Sequence, residues 1–269
     1  MVSIHPPAQS VLDLVGNTPM VRVRHLDTGP CELYLKLENQ NPGGSIKDRM
    51  ALAMVEAAEA DGRIKPGDTL VEATAGNTGL ALALVARQKG YKLLLVIPDK
   101  MSQEKLFHLK ALGAEVVVTR SDVGKGHHEY YQDIAARLAS EVPGRFYVNQ
   151  FSNPANPLAH EKYTAPEVWE QMEHRLDAFV CGIGTGGTMT GMGRYFKSLS
   201  PQTQMVLADP KGSILAPLVE FGTMTEPGSW LVEGIGEDFV PDNCDLSLVS
   251  KAYTISDDES IATARDVLL

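Results

Sequence analysis

Leu176-Asp177-Ala178-Phe179-Val180-Cys181-Gly182-Ile183-Gly184-Thr185-Gly186-Gly187-Thr188-Met189-Thr190-Gly191 reads as a strand, a glycine-rich turn and the start of a helix. Such a turn aims backbone N–H groups and a helix N-terminus at one point, which suits a phosphate. Thr185 and Thr188 add hydroxyl donors. Four glycines and two threonines within residues 182–188 favour a phosphate loop over a bare strand-to-helix turn. A second reading stays open. Gly182, Gly184 and Gly187 also satisfy the dinucleotide pattern, and Asp209 ends the next strand about twenty residues on, where a ribose-binding acid belongs. A nicotinamide-dependent dehydrogenase is therefore an alternative that the loop alone does not remove.

Outward from this loop, short apolar runs alternate with segments of helical period, the pattern of βαβ units around a mostly parallel sheet. Strands are expected at Leu33–Leu37, Thr69–Glu72, Lys92–Ile97, Glu115–Thr119, Ala178–Cys181 and Gln204–Ala208. Helices are expected at Ile46–Ala60, Thr78–Lys89, Gln103–Leu112, Tyr130–Ser140, Ala165–Met172 and Met189–Lys197. The expected fold is α/β, with two doubly wound domains, residues 1–150 and 151–269, and the Asn-Pro-rich stretch Asn153–Pro157 as the crossing between them. Ser256 and Glu259 form a capping-box pattern, after which a helix runs to Leu269 with no stop signal. That ending suggests a truncated chain.

The 269 residues are 43% hydrophobic and 22% charged, ordinary for a globular protein with a sizeable core. A formal charge of −10 argues against nucleic acid or an anionic membrane as partner, since both demand clustered Lys and Arg. Cys31, Cys181 and Cys244 show no paired spacing, so neither a disulfide framework nor a CxxC metal site is indicated. The N-terminus MVSIHPPAQS lacks the marks of a signal peptide, and no apolar run reaches membrane-spanning length. A soluble cytoplasmic protein is expected. His127 and His128 lack metal-spacing partners.

The segment Lys36-Leu37-Glu38-Asn39-Gln40-Asn41-Pro42-Gly43-Gly44-Ser45-Ile46-Lys47-Asp48-Arg49 places Lys47 in the first turn of a helix. The positive end of the helix dipole disfavours a second positive charge there and favours the neutral amine. Only a neutral amine attacks an aldehyde. In isolation Lys47 reads as one more surface lysine. The loop Glu72-Ala73-Thr74-Ala75-Gly76-Asn77-Thr78-Gly79 changes the balance, because it offers backbone donors, hydroxyls and an amide at a second helix N-terminus. Two anion sites and a poised lysine suit a ligand with separate phosphate, aldehyde and carboxylate-bearing parts.

With these motifs, and with Gly16-Asn17-Thr18-Pro19, Pro98-Asp99-Lys100-Met101-Ser102 and Asn156-Pro157-Leu158-Ala159-His160, the chain resembles the cystathionine β-synthase and cysteine synthase family over nearly its whole length. That family has the tryptophan-synthase β-subunit-like fold and uses pyridoxal 5′-phosphate. The resemblance implies that Lys47 joins the cofactor aldehyde and moves protons, that Asn77 contacts the pyridoxal 3′-oxygen, and that Gly184, Thr185, Gly186, Gly187 and Thr188 hold the phosphate. It implies further that Thr74, Ala75, Gly76 and Thr78 receive the substrate carboxylate with Gln150, near a mouth that includes Gly234. The family usually has Ser where Ala75 stands. It also implies a homodimer acting on an amino acid and a thiol.

Asp209-Pro210-Lys211-Gly212-Ser213-Ile214-Leu215 and Val232-Glu233-Gly234-Ile235-Gly236-Glu237-Asp238-Phe239-Val240-Pro241 resemble the cystathionine β-synthase branch, whose animal members often carry Tyr at the position of Glu237. Glu237 and Asp238 read first as solvated loop acids. An acid at the substrate mouth would nonetheless assist serine chemistry, because hydroxide leaves only when protonated whereas acetate departs unaided. The expected reaction is β-replacement on serine or an activated serine, with homocysteine giving cystathionine; O-acetylserine with sulfide is the alternative. Only fifteen residues precede Gly16, and His25 and Cys31 do not make up a heme site, so no heme is expected. The family places the Ser or Thr beside the pyridine nitrogen after the helix that begins near Ser256. The expectation is therefore that the complete protein is longer, or that this form binds cofactor poorly.

Overall fold

A computed structural model of the chain describes residues 7–268 except 75, 100 and 125. The chain divides into two compact units, Met1–Thr18 with Glu38–Asn149, and Pro19–Leu37 with Gln150–Leu269. The segment that joins the second unit early carries β1 (Met20–Arg22) and β2 (Tyr34–Lys36), paired antiparallel with Met20 opposite Lys36. The strand expected at Leu33–Leu37 is thus half of a hairpin and not part of a parallel sheet. Residues 23–33 between the two strands, bending at Gly29-Pro30, are too few for the crossover helix that a parallel pair needs.

In the first unit β3 (Thr69–Ala73), β4 (Lys92–Pro98), β5 (Glu115–Thr119) and β6 (Arg145–Tyr147) form a parallel sheet in the order β5-β4-β3-β6. The helices α1 (Lys47–Ala60), α2 (Asn77–Lys89), α3 (Gln103–Ala111) and α4 (Tyr131–Glu141) accompany it. Leu93–Ile97 is buried at every position, as a central parallel strand covered on both faces requires. Alternation sorts its side chains. Leu94 and Val96, with Val71 and Ala73, meet Ala135 and Ala139 of α4, while Leu95 faces the first turn of α2. A Cβ on Gly79 of that turn would lie 3.1 Å from Leu95 Cδ1, so the glycine lets helix and strand close together. Gly90, left-handed at φ 77°, ends α2.

In the second unit β7 (Ala178–Cys181), β8 (Gln204–Pro210) and β9 (Lys251–Ile255) are parallel in that order. The helical segments are α5 (Ala155–Ala159), a π-helical turn (His160–Thr164), α6 (Ala165–Gln171), α7 (Gly187–Leu199), α8 (Leu215–Phe221) and α9 (Asp257–Leu268). Met189, Met192 and Phe196 line one face of α7 at helical spacing and pack with Ile183, Met205, Leu207 and Leu215. Burying each such side chain stabilises the unit by roughly 1.5–3 kcal/mol before entropy is counted. Asn153–Pro157, expected as a crossing, runs into helix α5; Pro157 sits in its opening turn, where the missing N–H has no partner to lose. The Ser256–Glu259 capping box forms as the sequence implies, with the Glu259 N–H donating to Ser256 Oγ and the Ser256 N–H to Glu259 Oε2. Both units present a strand-to-helix loop at the carboxyl end of a parallel strand, where open α/β sheets bind their ligands. In one unit that loop follows β3; in the other it follows β7.

Candidate active site

Lys47 is the first residue of α1, half-buried, and its N–H donates to Ser45 Oγ at 3.2 Å. The turn that presents it is pinned from behind. Asp48, 1% exposed, accepts the Gly43 N–H, and burial pushes its carboxyl above the usual carboxylate range, opposed by that Gly43 bond and aided by the charge of Glu38. A Cβ on Gly43 would fall 2.3 Å from Asp48 Oδ1, so this bend demands glycine. Arg49 grips Glu38 with two bonds, Nε to Oε2 at 2.7 Å and Nη2 to Oε1 at 2.8 Å, and Thr18 Oγ1 donates to the same carboxylate at 2.7 Å. Asn41 completes the knot by donating from Nδ2 to Glu38 Oε2 at 3.0 Å and accepting the Gly16 N–H at 2.8 Å. In the sequence Arg49 and Glu38 stand eleven residues apart across a Pro-Gly-Gly bend, and only that spacing hints at their pairing.

The loop after β3 holds Thr74, 6% exposed, whose Oγ1 accepts the Gly76 N–H at 3.2 Å. Gly76 caps α2 with no side-chain bond, Asn77 is exposed and Thr78 is 2% exposed. Ala75 lies outside the described residues. Beneath the loop Glu72 is fully buried and its Oε1 accepts the Ala73 N–H at 2.9 Å. Burial, with Glu72 next, raises the Tyr147 phenol and keeps it neutral.

In the second unit Gly186 stands left-handed at φ 82° as N-cap of α7, again with no side-chain bond and no acid in the first turn. The loop's glycines have individual steric reasons. A Cβ on Gly184 would lie 2.5 Å from the carbonyl oxygen of Gly234, one on Gly186 2.6 Å from Cys244 Cβ, and one on Gly187 1.9 Å from Asn156 Oδ1. Gly234, itself at φ 86°, thus comes together with the loop, and Glu237 follows it with Oε1 4.0 Å from the Gly184 Cβ position. Ser213 ties the Glu237 backbone, accepting its N–H at 3.1 Å and donating to its carbonyl at 3.2 Å. Asp238 is exposed.

Behind the loop, Asn156 Nδ2 donates to Thr185 Oγ1 at 2.9 Å and to the Gln150 carbonyl at 2.8 Å. His160 is 2% exposed; its Nε2 lies 3.4 Å from Thr188 Oγ1 and its Nδ1 3.0 Å from Thr164 Oγ1 across the π-helical turn. Asn156 and His160 are four residues apart, the spacing that aligns side chains on one helical face. In the sequence both stand out only as members of the motif Asn156-Pro157-Leu158-Ala159-His160. Gln150 is 4% exposed, and its carbonyl also accepts from Asn243 Nδ2 at 2.8 Å.

This donor set fits a phosphate dianion: an uncapped 13-residue helix start, glycines where any Cβ would collide, and two hydroxyls each braced from behind. Lys47 at the other helix start fits an aldehyde. The dinucleotide reading fails on Asp209, which is 1% exposed and takes the Ala216 N–H on Oδ2 at 2.8 Å, so it is turned into the protein and not toward a ribose. Among the described residues no group of His, Cys, Asp or Glu forms a metal site. Residues 11–268 match the family model described as pyridoxal-phosphate dependent enzyme.

The chain belongs to that family. Its members use pyridoxal phosphate. The chain is 43% identical over 258 residues to a cystathionine beta-synthase of Apis mellifera, which covers 95% of this chain and 51% of the relative. It is 42% identical over 264 residues to a cysteine synthase of Staphylococcus aureus, covering 97% and 82%. The chain thus spans about half the length of the cystathionine beta-synthases it matches. Among solved structures, an O-ureido-L-serine synthase superposes with a TM-score of 0.88 at 37% identity, covering 97% of this chain and 79% of the other. A hydrogen sulfide-producing enzyme from Fusobacterium nucleatum gives 0.89 at 36%, covering 98% and 84%. These neighbours carry the tryptophan-synthase-β-like fold expected from the sequence.

Proposed function

We propose that this chain performs pyridoxal-phosphate-dependent β-replacement on L-serine or an activated serine, with homocysteine as the thiol and cystathionine as product. The observation that carries the reading is the glycine loop of α7, whose helix start and braced hydroxyls make a phosphate seat in a chain that also offers Lys47 at the head of α1. When bound, the cofactor supplies an aldehyde for an amine and a ring that withdraws the electron pair left when a Cα proton departs. Gly184, Thr185, Gly186, Gly187 and Thr188 hold the phosphate through backbone and hydroxyl donors. Asn77 offers its amide to the 3′-oxygen. Thr74, Gly76 and Thr78, with Ala75, take the substrate carboxylate and so orient its Cα–H bond. Gly234 borders the mouth.

Lys47 would hold the cofactor through its amine. That amine would take the Cα proton and later return it to Cα, while Cβ would exchange its bond to oxygen for one to the thiol sulfur, the thiol proton leaving with hydroxide as water or with acetate as acetic acid. The same lysine is anchor, base and acid. Cysteine synthesis from O-acetylserine and sulfide is the second reading, favoured by the similarity to the Staphylococcus aureus relative. A cytoplasmic homodimer is the working form we propose; Cys31, Cys181 and Cys244, none of them in a disulfide among the described residues, agree with a reducing compartment. Among the described residues no helix is long and apolar enough to cross a membrane.

The test is spectroscopic. Purified protein given pyridoxal phosphate is expected to turn yellow as Lys47 joins it, and Lys47→Ala to lose both that band and all product formation. A Lys47→Ala protein that keeps the band and its turnover would sink the assignment.

A further inference from the structure

We propose that Asn156 is a positioning residue that makes the Thr185 hydroxyl a hydrogen-bond donor toward the cofactor phosphate, an inference that rests on the cofactor reading above. Asn156 is 0% exposed, and one of its terminal atoms lies 2.8 Å from the Gln150 carbonyl oxygen and 2.9 Å from Thr185 Oγ1. A carbonyl oxygen only accepts, so the atom that faces it is the amide nitrogen, whichever way the amide is first drawn. That nitrogen has two hydrogens, and both are engaged. Thr185 Oγ1 is therefore obliged to accept from Asn156, and its own hydrogen must point elsewhere.

The alternatives behind the loop are closed. The Gln150 carbonyl has two lone pairs, and Asn156 and Asn243 take one each. Asn156 Oδ1 is turned to Gly187 and accepts no hydrogen bond among the described residues, so it does not receive the Thr185 proton. The same arrangement explains why residue 187 is glycine: any Cβ would displace the amide that orients Thr185. A hydroxyl that can only donate forward is preorganised for an acceptor-only dianion, and discriminates against a ligand lacking it.

Equilibrium binding to the apo-protein tests this without reference to turnover, using pyridoxal phosphate and, as the phosphate-free probe, pyridoxal. Asn156→Ala and the isosteric Asn156→Asp should each weaken pyridoxal phosphate about tenfold or more, the size of one hydrogen bond to a charged group, and leave pyridoxal unchanged. In a Thr185→Val background Asn156→Ala should cost nothing further. Equal losses for both probes, or an undiminished Asn156→Ala effect without the hydroxyl, overturn the proposal. A measurement on the unsubstituted holoenzyme does not depend on any variant folding: neutron diffraction must place the Thr185 hydroxyl hydrogen toward the phosphate, and finding it on the Asn156 side overturns the proposal. Wild-type protein that binds neither probe sinks the cofactor reading and this inference together, whereas phosphate-selective binding that ignores Asn156 sinks the inference alone.

Discussion

Arg49 secures the bend that presents Lys47 at the start of α1. Its side chain is 3% exposed and that of Glu38 16%, so the pair sits largely out of water and is bidentate. Removing one partner of such a pair leaves the other buried without a countercharge. Arg49→Met is expected to lower stability by about 3–5 kcal/mol, far more than a surface ion pair would, and Glu38→Gln added to it should restore part of that. Urea unfolding of the two variants decides the matter; a loss within a few tenths of a kcal/mol would mean the pair is a surface one in solution. The place of Lys47 in the first turn of a helix was legible in the sequence because the Pro-Gly-Gly bend stops just before it. Arg49 and Asn156 were not, because their worth comes from partners, Glu38 and Thr185, that only folding brings within hydrogen-bond range.

At the scale of elements, Glu115–Thr119 and Ala178–Cys181 lie where alternation and turn signals place them, and α1 begins one residue later than expected. Of the elements not expected from the sequence, β1 and β6 are three residues each, too short to alternate, and the π-helical turn at His160–Thr164 has no distinct sequence signature; α5, α8 and the five-residue β9 were also unforeseen. Asp209 illustrates an element-level misreading with a measurable consequence. Its place at the end of β8 suited a ribose, yet its Oδ2 accepts the Ala216 N–H of α8 and its Oδ1 has no partner among the described residues. Burial raises its pKa, partly opposed by the Ala216, Ser213 and Leu215 donors. Between the ordinary and the raised value the folded state binds more protons than the unfolded one, so stability falls as pH rises through that interval. Asp209→Asn keeps an acceptor oxygen and removes the charge. Its urea midpoint relative to wild type should therefore climb as pH goes from about 4 toward neutrality; a difference that stays constant with pH would contradict the burial argument.

For the molecule as a whole, similarity does not choose between the two substrate pairs. The chain is 43% identical to a cystathionine beta-synthase and 42% to a cysteine synthase. The net charge of −10 is equally indifferent to two small zwitterionic substrates. What separates the reactions is the leaving group: serine must lose hydroxide, which needs a proton, and O-acetylserine must not. Glu237 stands half-buried beside Gly184 with its backbone held by Ser213, and we propose its carboxyl as the source of that proton. Cystathionine from serine and homocysteine is accordingly the expected main product when all four substrates are offered together. Glu237→Gln, which keeps the shape but cannot transfer a proton, should slow serine about a hundredfold or more, the low end of the range for a general acid, while O-acetylserine turnover holds within about twofold. Product chromatography on the mixture, with the serine isotopically labelled so that its products are told from those of O-acetylserine, reads both outcomes. Equal losses with the two amino acids would reduce Glu237 to a structural residue, and unlabelled cysteine as the dominant product would transfer the assignment to the O-acetylserine reaction.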